Sequence, residues 1–467
     1  MRVARLALVA LPVLISIAPL QAQEPNWSQI EEETMRHFQA ILRLDTSNPP
    51  GNETLVVEYL KSVLDKEGIE TKVFRNDPKR ANLVARLRGN GKKRPVLIMG
   101  HTDVVTVDPT KWKYPPFSAT REGGYVYGRG ATDDKDNVVA CLMVMLMLKR
   151  MNTPLDRDVI FLAEASEEGG GADGIAYMVR EHFDEIDAEY CFAEGGGVVR
   201  TAGRIQYSAV ATTEKIPRGA RLVAQGISGH GSVPLRSNAI VHLANAVAKV
   251  AAWRTPVRLN DTTRAYFERL AKLSPPDAAA RYHKLLQPGN SDDAQEYLAI
   301  NEPRLNSTLR TSISPNIIKG GYRSNVIPSE AEATLDIRAL PDEDMAWFFD
   351  EMKKVIDDPA IEIVRSGNSR PGSAPSRLDT EAFRALEEAN KHVYNTVTLP
   401  TMLTGATDMA QLRAKGVQCY GVGPMTDSED GPKGFGAHSD QERVLEESIY
   451  KFVRFHLDIV LNLAKAR

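Results

Sequence analysis

Val96-Leu97-Ile98-Met99-Gly100-His101-Thr102-Asp103 opens a stretch that closes at Tyr190-Cys191-Phe192-Ala193-Glu194, and its reading decides the fold. Three apolar runs in it, residues 96–99, 159–163 and 190–193, read as buried strands. Between them, 136–151 predicts a helix that is hydrophobic almost all round, and 174–182 predicts a second. Strand–helix alternation of this kind implies an α/β fold with a largely parallel sheet and helices on both faces. Polar residues gather at or just beyond the ends of the strands: Gly100-His101-Thr102-Asp103, Gly128-Arg129-Gly130-Ala131-Thr132-Asp133-Asp134-Lys135, Glu167-Glu168-Gly169-Gly170 and Ala193-Glu194-Gly195-Gly196. Strand ends are where α/β sheets ordinarily carry their sites. The four clusters read together as a two-metal centre short of one ligand.

Working outward, a first helix capped by Ser28 is expected to run until Pro49-Pro50-Gly51, and a second over 52–67 to end at Gly68. Strands follow at 70–74 and 82–87. From about Arg218 the character changes. A strand at 221–225, a helix at 237–252, a charged and mostly helical stretch over 261–296, strands at 306–314 and 332–339, a helix after Pro341 and a strand at 361–365 predict an α+β unit. Residues 368–377, rich in Ser, Pro and Gly, read as a linker back. Helices at 381–393 and 446–464, with a strand at 417–422 between them, return to the style of the first unit. The expected division is a leader at 1–22, a first domain in two parts at 23–216 and 370–467, and an inserted domain at 217–369.

The length of 467 residues favours two domains. A net charge of −3 leaves no basic surplus to neutralise phosphates, which excludes non-specific nucleic-acid binding. Arg2 and Arg5 precede an apolar segment over 6–20, with Ala22 as a small residue for cleavage and Leu20 an imperfect one at −3. This is the pattern of a signal peptide, with a retained anchor helix as the alternative. It predicts a periplasmic or secreted protein with no stable membrane span after cleavage. Cys141, Cys191 and Cys419 are scattered in apolar contexts and predict buried thiols rather than disulfides.

His101 and Asp103, two apart on an extended segment, point the same way. A metal-binding histidine gives its second ring nitrogen to a carboxylate or carbonyl, a task Asp103 can perform. Asp133-Asp134 precedes a helix and reads alone as a capping turn, yet one carboxylate can also bridge two cations. Glu167 and Glu168 repel unless a cation or solvent intervenes; one can ligate while its neighbour acts as general base. Glu194 ends an apolar run and precedes glycines. Gly436-Ala437-His438-Ser439-Asp440 supplies a histidine from the far end of the chain. His37, His182, His242, His283, His392 and His456 fall in helical patterns and read as structural, whereas His101, His230 and His438 lie beside glycines in predicted loops. Histidines mixed with carboxylates suit zinc or a similar divalent ion.

These ordered motifs, with Trp112, Pro115-Pro116-Phe117 and Tyr127-Gly128-Arg129-Gly130-Ala131 between them, resemble the dizinc metallopeptidase family of aminoacylase, carboxypeptidase S and succinyl-diaminopimelate desuccinylase. The carboxypeptidase S branch is the most similar. The resemblance implies that Asp133 bridges two zinc ions (cobalt and manganese being the other candidates). His101 and Glu194 would complete one site, and Glu168 and His438 the other. Glu167 would be the general base acting on a water that bridges the metals, with Asp103 orienting His101. Gly226-Ile227-Ser228-Gly229-His230-Gly231 is similar to the family's lid motif, which makes 217–369 a lid and dimerisation domain and His230 an oxyanion stabiliser, commonly across a homodimer interface. Asn325, Arg338 and Gly405 would contact substrate, with Arg338 suited to hold a carboxylate bidentately. Where many relatives have Lys-Gly, this chain has Lys135-Asp136, and Asp136 is expected to cap the following helix. The implied activity is hydrolysis of an amide beside a free carboxylate in a small peptide, as a carboxypeptidase or dipeptidase. An N-acyl-amino-acid amidohydrolase is the close alternative, and a non-catalytic binding module of the same fold the distant one.

Overall fold

A computed structural model describes residues 25–287, 289, 291–367 and 370–466; the expected leader at 1–22 lies outside the described residues. From the N terminus, α1 (Trp27–Leu42) and α2 (Thr54–Lys66) precede β1 (Glu70–Arg75), β2 (Ala81–Leu87) and β3 (Val96–His101). The helix α3 (Lys135–Arg150) leads to β4 (Val159–Glu164), and α4 (Ile175–Glu181) leads to β5 (Tyr190–Ala193), β6 (Gly197–Thr201) and β7 (Arg204–Glu214). After β8 (Ala220–Gln225) and α5 (Ala239–Ala252) come α6 (Asp261–Leu273), α7 (Pro276–Leu286), α8 (Asp292–Asn301) and α9 (Pro303–Thr308). Then follow β9 (Ser312–Gly320), β10 (Glu330–Ala339), α10 (Met345–Ile356) and β11 (Ile361–Arg365). The chain closes with α11 (Glu381–Tyr394), β12 (Thr398–Leu403), α12 (Met409–Arg413), β13 (Gln418–Gly421), β14 (Met425–Asp427) and α13 (Glu446–Ala464).

The larger sheet has ten strands in the order β1-β2-β4-β3-β5-β13-β7-β6-β14, with β12 also pairing with β7. Its centre, β4-β3-β5-β13, is parallel as the alternation predicts. The flanks are not: β1–β2, β2–β4, β13–β7 and β7–β6 run antiparallel, so the sheet is mixed. Residues 70–74 and 82–87 connect directly, which permits a hairpin that no helix needs to cross.

The all-round apolar character of α3 is explained by its place. Every residue from Lys135 to Leu148 is buried, in a cluster shared with α1, α2, α11, α13 and one face of the sheet. A second cluster, with Met178, Ile186, Leu412 and Val417, covers part of the other face. The three cysteines are free and buried, as expected.

Some expectations fail for definable reasons. The first helix ends at Leu42, well before the prolines, and its late carbonyls are taken by a side chain. Lys135 Nζ donates to the carbonyls of Ile41 at 3.0 Å and Leu44 at 2.8 Å. The cap position is Asn26 rather than Ser28. Residues 306–314, expected as one strand, are split between the end of α9 and the start of β9, because Pro303 opens a helical turn. Asp136 does not cap α3: Asp134 holds that position, and Asp136 lies inside the first turn, buried, with both carboxyl oxygens unpartnered.

The smaller sheet has five strands, Ile216–Pro217 and β8 to β11, in the order β9-β10-β8-β11 with Ile216–Pro217 also on β10. Helices α5 and α10 cover it around Leu243, Phe348 and Met352. The stretch α6–α9 does not belong to that core. Phe267, Tyr282, Leu285 and Leu298 cluster with Leu399 of the larger sheet, and Arg269 Nη1 donates to the Thr398 carbonyl at 2.8 Å. No helix of the described residues is long and apolar enough to cross a membrane.

Candidate metal centre

The parallel strands β3, β4 and β5 end side by side, and the site is built on those ends. His101 is the last residue of β3 and is buried, rather than lying in a loop. Its Nδ1 lies 3.0 Å from the Asp103 carbonyl oxygen and 3.5 Å from its carboxylate, which leaves Nε2 to face the site. His101 Nε2 is 3.0 Å from Asp133 Oδ1 and 3.8 Å from Glu194 Oε2. On the other side, His438 Nε2 is 2.9 Å from Asp133 Oδ2 and 2.8 Å from Glu168 Oε1. Two ligand groups result, His101–Asp133–Glu194 and Asp133–Glu168–His438, each with its donor atoms within 4.8 Å of one another. Asp133 belongs to both, with one oxygen turned to each histidine.

Asp103 orients His101 chiefly through its carbonyl; its carboxylate is spent elsewhere. It accepts from Asn48 Nδ2 at 2.7 Å and from the backbone N–H groups of Glu167 and Glu168, each at 3.1 Å. One buried carboxylate thus fixes both the histidine and the Glu167-Glu168 turn. Asp134 does similar work: Oδ2 accepts from the His101 N–H at 3.1 Å and Oδ1 from Asn137 Nδ2 at 2.5 Å. The chain leaves Glu194 through glycines because β7 and β13 crowd it: a Cβ on Gly196 would lie 2.3 Å from the Gly421 carbonyl oxygen.

The electrostatics are those of a cation site. Burial pushes Glu194 up to about 7, with Asp133 and Glu167 adding to the rise and His101 opposing it. Burial also raises Asp133, but hydrogen bonds from His101 and His438 outweigh it and hold that carboxyl below its usual range. Contacts with Asp133 and Glu168 raise His438 to about 10. Acids and imidazoles that crowd together so that protons must neutralise them are a donor set fitted to divalent ions, and nitrogen mixed with carboxylate oxygen suits zinc. The N terminus of α3, immediately after Asp134, adds its partial positive charge.

Glu167 sits beside this set. Arg370 Nη2 donates to Glu167 Oε1 at 2.8 Å, and Arg370 Nη1 lies 3.7 Å from Asp408 Oδ1. Burial raises the Glu167 carboxyl, while His101 and Arg370 pull it down. Arg370 lies in the Ser/Pro/Gly stretch that reads as a mere linker. The available signal was its charge: a cation returning to a site crowded with carboxylates. Behind it, Glu164 and Asp408 are buried, each with one carboxyl oxygen unpartnered, and burial pushes both well above the carboxylate range. Nothing in the sequence distinguishes Glu164, at the end of a strand, from a surface glutamate.

The remaining expected residues stand apart from the ligand set. His230 is exposed on a two-residue strand, Gly229–His230, paired with Val326–Ile327, and its Nδ1 accepts from Ser232 Oγ at 2.7 Å. Asn325 adjoins it, its carbonyl accepting from the Gly231 N–H at 2.8 Å. Arg338 Nε donates to Asp336 Oδ1 at 2.9 Å, and Gly405 is exposed with open space beside it. Among the described residues, no hydrogen bond or ion pair joins these four to the ligand set.

Comparison with known proteins gives the family and the fold. The chain belongs to peptidase family M20/M25/M40, whose model matches residues 97–462, and it is a hydrolase of that metallopeptidase family. It is 27% identical over 383 residues to a probable carboxypeptidase S-like protein of Dictyostelium discoideum, covering 80% of this chain and 72% of that one. It is 28% identical over 378 residues to an N-fatty-acyl-amino acid synthase/hydrolase of Xenopus tropicalis, covering 79% and 72%. The fold matches an M20 family metallo-carboxypeptidase from Sulfolobus solfataricus with a TM-score of 0.70 at 22% identity, over 92% of this chain and 99% of that one.

Proposed function

We propose that the chain is an exported dizinc hydrolase that cleaves an amide beside a free carboxylate, acting as a carboxypeptidase or dipeptidase. The observation that carries this reading is Asp133, shared between two ligand groups with Glu167 beside them. His101, Asp133 and Glu194 would hold one ion, and Asp133, Glu168 and His438 the other; cobalt or manganese fits the same donors. When bound, such a pair supplies Lewis acidity to the scissile carbonyl and to water. Glu167 accepts the proton of the attacking water and returns it to the leaving nitrogen. Arg370 keeps the Glu167 carboxylate in place, and Asp103 keeps its backbone in place.

Substrate recognition falls to the inserted lid. Arg338 would exchange Asp336 for the substrate carboxylate, a bidentate match, and Asn325 and Gly405 would supply further substrate contacts. His230 would stabilise the oxyanion at the site of a neighbouring subunit, its exposure in this chain supporting that role. Dimerisation is supported by β9, which among the described residues pairs only with β10 and exposes Ile317 and Ile318. The leader pattern supports export to the periplasm or medium. The proposed inserted domain at 217–369 is supported by the smaller sheet, although that sheet already takes in Ile216 and α6–α9 pack on the larger one.

The alternative, an N-acyl-amino-acid amidohydrolase, uses the same catalytic parts and is favoured by the likeness to the Xenopus protein. Zinc-loaded mature protein assayed on dipeptides and on N-acyl amino acids separates the two. Hydrolysis confined to acylated substrates would sink the peptidase choice.

A further inference from the structure

Asp133 and His438 come from loops far apart in the chain, and one side chain joins the two. Glu442, four residues after His438, is fully buried. Its Oε1 accepts from the Thr132 backbone N–H at 2.8 Å and from Thr132 Oγ1 at 3.1 Å. Its Oε2 accepts from Arg129 Nη1 at 2.6 Å, and its carbonyl accepts from the Gly128 N–H at 3.0 Å. Thr132 is the residue before Asp133, the acid shared by both ligand groups. Glu442 therefore grips the turn over 128–132 with its backbone and with both carboxylate oxygens, across 310 positions of sequence.

The loop that carries His438 closes on the neighbour of Glu442. The Arg443 N–H donates to the Phe435 carbonyl at 3.1 Å, and Arg443 Nη2 donates to Asp430 Oδ1 at 2.6 Å. The Arg443 guanidinium lies 3.9 Å from the ring centres of both Phe435 and Tyr125. Arg443–Leu445 also pairs antiparallel with Tyr125–Tyr127, which runs directly into the turn at Gly128. His438 thus stands at the tip of a loop whose base is fixed, and Asp133 follows a turn fixed to that same base. A carboxylate withdrawn from water is costly unless charge and hydrogen bonds compensate it, as Arg129 and Thr132 do here. An apolar contact would join the two loops without that cost, but it would not direct the N–H in front of Asp133.

We infer that Glu442 is a positioning residue for the ion of the Asp133–Glu168–His438 group, fixing the backbone before Asp133 against the base of the His438 loop. The inference rests on the proposed pair of ions and adds which residue outside the donor set governs the affinity of one of them. It also accounts for a half-exposed histidine coming within 2.9 Å of Asp133 Oδ2: the fold places the loop, and only its tip is left to the ion.

The test is calorimetric titration of metal-free mature protein with zinc, at a temperature where circular dichroism shows wild type and variant folded. Glu442→Ala is expected to weaken the later-binding ion at least about tenfold. The earlier ion should change less, because His101 and Glu194 are held by β3 and β5. Glu442→Gln keeps an acceptor for Thr132 but loses the charge facing Arg129, and a smaller loss in the same direction is expected. Should Glu442→Ala not fold, the Gln variant carries the measurements. Hydrogen exchange of the metal-free protein gives a readout without zinc: residues 128–134 and 435–441 are expected to exchange faster together, with the interior of α3 unchanged. A lower melting temperature with both zinc affinities unchanged makes Glu442 merely structural and overturns the inference, as does faster exchange confined to 435–441. Uptake of fewer than two zinc ions by the wild type defeats the proposed centre instead, and the exchange pattern still decides whether Glu442 ties the two loops.

Discussion

The two halves of the candidate metal centre share Asp133 but are built differently. The side chain of His101 is 1% exposed, at the end of a central strand, with Nδ1 fixed by Asp103 and its backbone N–H fixed by Asp134. The side chain of His438 is 53% exposed, on a loop residue with φ of 61°, and among the described residues its ring meets Asp133 and Glu168 through Nε2 alone. A ligand held by strand pairing, a second hydrogen bond and burial loses little freedom when it binds an ion; a loop histidine must be ordered by the ion itself. The difference teaches that the His101 half is preorganised by the fold, whereas the His438 half is left for a bound ion to order.

The predictions test that asymmetry. The largest effect is expected from Glu167→Ala: loss of at least about a thousandfold in kcat with two metals per chain retained, measured by kinetics and elemental analysis. A rate near wild type would remove Glu167 from the mechanism. Metal removal comes next. Titration with a chelator is expected to release one equivalent well before the other, and His438→Ala to retain one metal per chain while His101→Ala retains less. Simultaneous release, or the reverse order, breaks the asymmetry.

Arg370→Ala is expected to lower kcat about tenfold with KM and metal content unchanged, and Arg370→Lys to recover part of it, because the contact is to Glu167 and not to a ligand. An equal fall in metal content would instead make Arg370 a support of the ion site.

The pH dependence of the metal-free protein follows from proton binding. Glu194 (about 7) and His438 (about 10) both hold protons more tightly folded than unfolded, so each contributes stability at low pH that is lost as pH rises through the folded value. The melting temperature of chelator-treated protein is therefore expected to fall by a few degrees from pH 5 to pH 9. Zinc replaces those protons and should flatten the slope. The smallest effect is expected at Asp136, buried with no partner and driven to the neutral acid by burial: Asp136→Asn should change kcat/KM less than about twofold.

Much of the site was legible because its ligands follow strand ends, and strand ends can be read from apolar runs stopped by glycine. His101 and Glu194 mark themselves this way. His438 stood out as a candidate beside Gly436, but its partners were legible only through the family likeness, since a loop histidine says nothing of the acids it will meet across 270 positions. Arg370 was read as part of a linker, because ion pairing to Glu167 depends on where the chain returns rather than on its local composition. The strand expected over 306–314 failed for a local reason, Pro303, and α6–α9 were misplaced for a tertiary one. Their apolar stripes fit either sheet, and only the space beside β12 decides between them.

The sequence by itself determined the parallel centre of the sheet, the buried helix α3 and the identity of the donor atoms, because hydrophobic period and side-chain chemistry are local properties. The tertiary structure decided which acids and imidazoles gather in each candidate ligand group, which oxygen of Asp133 faces which histidine, and which cation pairs with Glu167. Those are matters of distance between residues far apart in the chain, and distance exists only once the chain has packed.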